Sequence, residues 1–221
     1  MKYTAFSAAA VLLVFASCAT APAPFTVNPF SLKLPAGAVS AEFDKLLTGE
    51  VERKDITVSY LPEDDAACLE YRYELVSYYL YWNRLGRETF KTALERYKFD
   101  YEQRSLNAKA GMKERRMYGT VRGYLGWQVF GFLSQLATGT TEIDMGYSFK
   151  GPLQNRTPYL TITQNAAEYK EPSESRKTTS ARIKLYFTRA QAEELAALFD
   201  QEYLRSLGAA PKPPDNAADA Y

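Results

Sequence analysis

The chain has 221 residues, 46% of them hydrophobic, which is enough for one domain with a sizeable core and too apolar for global disorder. Lys plus Arg number 27 and Asp plus Glu 26, a net charge of +1, and so the clearly basic profile of a dedicated nucleic-acid binder is absent. Histidine is missing altogether, which removes Ser-His-Asp and Cys-His catalysis, histidine-ligated metals and histidine-based pH switching.

At the N-terminus, Lys2 precedes an apolar run from Ala8 to Phe15, followed by Ala16, Ser17 and Cys18. The run is too short to span a bilayer and reads as a secretory signal over residues 1–17. The stretch Phe15-Ala16-Ser17-Cys18 resembles the lipobox of bacterial lipoproteins, departing from it at Phe15, where that family usually carries Leu. The resemblance covers these residues alone and carries no fold. It implies cleavage before Cys18, acylation of Cys18 with palmitate-type chains, and a partner that is the membrane itself. Ala19, standing where an Asp would retain such a protein, implies sorting in double-membrane bacteria to the outer membrane or its periplasmic face. Residues 18–39, rich in Ala, Pro and small side chains, are expected to be the lipidated cysteine and a flexible tether. Two or three acyl chains would hold such a protein firmly, since one alone is marginal. With Cys18 acylated, Cys68 is left without a disulfide partner. With no histidine base beside it, it reads as a small, partly buried strand residue.

Residues 40–48, with Ser40 as cap and Gly49 as stop, carry a short-helix pattern. In residues 55–61, Ile56, Val58 and Tyr60 alternate with Asp55, Thr57 and Ser59, the pattern of a half-buried strand. Residues 68–82 read as one long aromatic strand, apolar on both faces from Leu75 onward and therefore covered on both sides. Residues 84–107 place Phe90, Ala93, Leu94, Tyr97 and Tyr101 at helical spacing with Asn83 as cap, while Tyr97, Phe99 and Tyr101 also alternate at strand spacing; length and the charged surface favour the helix, with residues 97–105 open to either. Residues 117–131 read as a strand in which Gly119, Gly123 and Gly126 mark a bend or a close approach. Residues 141–150 alternate cleanly, with Ile143, Met145, Tyr147 and Phe149 inward. Residues 158–164 and 181–187 are strands joined by a polar hairpin loop. Thr188 to Gln191 fits a capping box, and Ala192, Leu195, Ala196, Phe199 and Tyr203 form the stripe of one C-terminal helix ending at Gly208. The sum is a single α+β domain over residues 40–208. It has about six mainly antiparallel strands in a twisted sheet or half-barrel, one long inserted helix and one C-terminal helix, with a disordered tail at 209–221.

Candidate chemistry is sparse. No phosphate loop, dinucleotide fingerprint, C-x-x-C or calcium loop occurs, so no metal or other cofactor is expected and an enzymatic role is disfavoured. Glu63-Asp64-Asp65 reads as a solvated turn and not a cation site. Aromatic residues stand out, with 17 Tyr, 12 Phe and 2 Trp. Tyr78, Tyr81, Trp82, Tyr124 and Trp127 are the candidate lining of a ligand groove, against the plain alternative that they fill a core. The segment Arg104–Arg116 carries five positive charges and one negative, a candidate contact with anionic headgroups or an acidic partner. The function expected is a membrane-anchored envelope lipoprotein, a non-enzymatic binding or structural module with an envelope protein or lipid as further partner and no nucleic acid. The alternative is a carrier of a lipid or small apolar ligand in an aromatic-lined cavity.

Overall fold

A computed structural model describes residues 25–44, 51–107, 117–129, 136–150, 156–170 and 177–208. Its strands are β1 (Leu34–Asp44), β2 (Val51–Leu61), β3 (Ala66–Tyr73), β4 (Val76–Trp82), β5 (Met117–Val129), β6 (Ala137–Lys150), β7 (Thr157–Gln164), β8 (Glu168–Lys170), β9 (Lys177–Thr179) and β10 (Ile183–Phe187). The helices are α1 (Arg84–Glu102), α2 (Arg189–Leu198) and α3 (Gln201–Gly208).

Eight strands close into an antiparallel barrel. β1 to β7 follow one another round the wall, and β10 completes it between β7 and β1. The pair β8–β9 forms a separate hairpin. This corrects the expected six-stranded sheet or half-barrel, while the antiparallel strands with added helices are as expected. The inward residues alternate along each strand, for example Ile56, Val58 and Tyr60 on β2 and Ile143, Met145 and Tyr147 on β6, and they belong to one continuous core. An eight-stranded barrel leaves an interior just wide enough for side chains to fill or for one small ligand. Here Phe43, Tyr71, Tyr78, Trp82 and Trp127 are all buried within it.

Three strand features escaped the sequence pattern. In β1 the register shifts between Pro35 and Gly37, so the inward series Val39, Ala41, Phe43 is out of step with Ala36. That bulge hides the alternation. Residues 34–39, grouped by composition with the tether, are thus the first half of β1, and the short helix expected over residues 40–48 is strand as far as Asp44. The long strand expected over residues 68–82 is a hairpin, with Tyr73 paired to Val76 across Glu74 and Leu75. No Gly, Asn or Pro marks that turn; Glu74 itself takes the left-handed conformation, φ 53°. The polar loop after β7 contributes β8 and β9.

The strand directions place the helices together. β4 and β10 run the same way round the barrel, so α1, which follows β4, and α2–α3, which follow β10, close the same end. Asn83 caps α1 by accepting from Gly86 N at 2.8 Å, and Thr188 and Gln191 form the expected capping box on α2. At this end Trp82, Phe90 and Phe199 pack with ring centroids 5.5–6.1 Å apart. The single C-terminal helix expected is two. Asp200 ends one and caps the next, its Oδ1 accepting from the backbone of Glu202 at 2.9 Å and Tyr203 at 3.0 Å. The β8–β9 hairpin, inserted between β7 and β10, covers the opposite end. A Cβ on Gly139 would lie 2.7 Å from the Glu168 carbonyl oxygen, so the hairpin backbone rests directly on β6.

Candidate binding groove on the outer face of the barrel

Strand alternation divides the five candidate aromatic residues between two faces. Tyr78, Trp82 and Trp127 point into the barrel, where Tyr78 pairs with Trp127 across β4 and β5. Tyr78 also stacks on Tyr71, centroids 5.6 Å apart, and the Tyr71 hydroxyl is hydrogen-bonded to the buried Gln164. Trp82 lies at the helical end against Phe90 and Phe199. Tyr81 and Tyr124 instead meet on the outside, ring centroids 6.2 Å apart. The barrel wall therefore separates the inner three from the outer two.

What covers the outer face is the segment just before β1, residues 25–33. Asn28 turns it: its Oδ1 accepts from Phe30 N at 3.1 Å, and its carbonyl accepts from Ser31 N at 3.1 Å. Val27 is buried in a cluster with Leu61, Ala66, Cys68 and Tyr81, and Phe25, Tyr79 and Tyr124 pack against that cluster. Ser31 Oγ donates to Glu63 at 3.1 Å, fastening this strap to the β2–β3 turn. The two-sided apolar pattern of β4 is thereby explained, with core inside and strap outside.

Between strap and wall lies an open groove of about 350 Å³, lined by Pro29, Phe30, Lys33, Tyr79, Tyr81, Gln128 and Leu136. Lys33 Nζ sits 4.6 Å from the Tyr79 ring centroid and 5.6 Å from that of Tyr81. Burial, reinforced by the Glu70 carboxylate and the Cys68 thiol, raises the Tyr79 hydroxyl above its ordinary range. Burial likewise raises Tyr81 well above it, and the Cys68 thiol is pushed up to about 12 by burial first of all. These groups are neutral at physiological pH. The groove thus offers aromatic surface, the phenolic side chain of the half-buried Tyr79 and one cation, a set suited to binding and without an activated nucleophile. Among the described residues no group of three or more His, Cys, Asp or Glu side chains is placed to hold a metal ion.

Phe30, Lys33 and Tyr79 were not among the five candidates. The Asn28-Pro29 turn followed by Phe30 and Leu32, alternating with Ser31 and Lys33, was the available signal, masked by the Pro- and Ala-rich composition of the neighbourhood. The acidic turn is also more than solvated. Asp65 accepts from Arg87 at 2.9 Å, Gln201 at 3.1 Å and Tyr60 at 3.1 Å, while the fully buried Arg87 donates further to the Asp65 carbonyl at 2.7 Å and the Trp82 carbonyl at 3.2 Å. That cluster ties the β2–β3 turn, α1 and α3 together. Cys18 and the tail at 209–221 lie outside the described residues, as does the basic segment from residue 108 onward.

No curated protein and no solved structure matches the chain. A family model described as "Uncharacterised Treponema protein" matches residues 32–206, from the end of the strap through α3, and the chain belongs to that family.

Proposed function

We propose that the chain is a bacterial envelope lipoprotein, held on the outer membrane or its periplasmic face by acyl chains on Cys18. Its barrel is a non-enzymatic module that acts by binding through its outer surface. The observation that supports this reading is the groove beneath the strap. Tyr79, half-buried and with a polar tip, is gathered there with Lys33 over the buried Tyr81 ring, whereas Tyr78, Trp82 and Trp127 are used in packing inside the barrel. The groove is also built by the stretch of chain that leads to the lipobox. Six residues, 19–24, separate Cys18 from Phe25.

Two measurements test the anchor together. The intact mass of the protein extracted from its own membranes is expected to lack residues 1–17 and to carry two or three acyl chains on Cys18. Cys18→Ala is expected to abolish the acyl mass and shift the protein out of the acylated membrane pool. A mature wild-type protein with an unmodified Cys18 would overturn the reading.

A further inference from the structure

We infer that the strap face of the barrel, presented by Phe30, Leu32 and Lys33, seats on the surface of the membrane that holds Cys18. This deepens the lipoprotein reading above and rests on it. The first observation is exposure on a fastened segment. Phe30 is 85% and Leu32 64% exposed, although the strap around them is fixed by the buried Val27, by the Asn28 turn and by the Ser31–Glu63 hydrogen bond. Two apolar side chains are held out from the body on a segment tied down on either side of them. The second is reach. Seven chain steps from Cys18 to Phe25 span at most about 25 Å even when fully extended. A lipidated Cys18 therefore keeps this face, and not the opposite wall at β10 and β7, next to the bilayer. The third is the chemistry behind the apolar pair. Lys33 lies over the half-buried Tyr79, a long cation and a phenolic ring suited to the headgroup layer. Glu63 stands at the same rim, so apolar insertion of Phe30 and Leu32 drives the contact, and an anionic headgroup is not required.

The experiment uses the full acylated protein in phosphatidylcholine vesicles with plain or brominated acyl chains. Phe30→Trp provides the reporter. The native Trp82 and Trp127 are buried inside the barrel and supply the same background in the wild type. Arg182→Trp, exposed beside β10 on the opposite wall, is the control. The tryptophan at position 30 is expected to lose most of its emission in brominated vesicles, while the wild type and the Arg182→Trp variant stay as bright as in plain ones. Equal brightness at position 30 in both vesicle types, with Cys18 shown by mass to be acylated, overturns the inference and leaves the lipoprotein reading standing. Quenching at both positions 30 and 182 overturns it as well, because no single face would then be seated. An emission at position 30 that changes with protein concentration in detergent, and not with lipid bromination, assigns the face to a second copy and overturns the membrane contact. A protein without acyl chains overturns both readings at once.

Discussion

At the scale of single residues, Arg87 and Asp65 carry the most concentrated chemistry in the molecule. Burial works to raise the Asp65 carboxyl, but the hydrogen bond from Gln201 and the charge of Arg87 outweigh it, leaving the group below its ordinary range. A folded-state value below the unfolded one, near 3.9, means stabilisation that is full above that pH and is lost as pH falls through the folded value. Asp65→Asn is therefore expected to flatten the fall of the urea midpoint below about pH 4, relative to wild type. Asp65→Ala removes a partner from a guanidinium with no solvent exposure, though the carboxylate itself is part-exposed and Arg87 keeps other acceptors, and is expected to cost about 1–3 kcal/mol in chemical denaturation. An unchanged midpoint would show that Gln201 and the backbone carbonyls suffice for Arg87. Gly123 makes a second residue-scale prediction. A Cβ there would meet Ile143 Cδ1 at 2.5 Å and the Tyr81 carbonyl at 3.1 Å. Gly123→Ala is expected to lose about 1–3 kcal/mol by overpacking. Adding Ile143→Val, which removes the closer atom, is expected to recover part of that loss. If the double variant is as unstable as the single one, the clash is not the cause.

At the scale of elements, the strap is the part whose behaviour can be read directly. It buries Cys68, whose thiol, pushed up to about 12, is protonated and unreactive at neutral pH while the strap is down. Thiol-reagent labelling of the native protein is expected to be slow, and Val27→Asp, which loosens the buried strap anchor, is expected to speed it without unfolding the barrel. Labelling equally slow in both would mean that another element shields Cys68. The same element shows why the sequence was legible in some places and opaque in others. β2 and β6 were readable because one face is largely wet and the other packed, so their side chains alternate. β1 was not, because its bulge shifts the phase and Pro35 and Gly37 give it a linker's composition. The β3–β4 turn was not, because Glu74 does what a glycine or asparagine usually does. α1 was readable from its helical spacing and the Asn83 cap, and the start of α2 from its capping box, whereas the break at Asp200 is one carboxylate capping in the middle of an otherwise continuous stripe.

At the scale of the whole molecule, barrel closure decides what the aromatic residues do. A sequence lists Tyr78, Tyr81, Trp82, Tyr124 and Trp127 together, but only register and closure say that a wall stands between them. Tyr81 was legible as a candidate because it is aromatic; its partners Phe30 and Lys33 were not, since they arrive from a segment whose composition suggests a tether. Inside, Trp82 fills the helical end, and Trp82→Ala is expected to cost about 3–5 kcal/mol, so that any loss of binding in that variant would follow from unfolding. The proposed function places binding on the outer face of a barrel whose interior is packed. Native mass spectrometry of the full protein, released from its own envelope in mild detergent, tests that claim most directly. The account predicts a mass equal to the polypeptide plus the acyl chains on Cys18. A further small molecule at near-stoichiometric amount, retained by wild type and lost from Tyr78→Leu or Trp127→Leu, would contradict it and place the ligand inside the barrel.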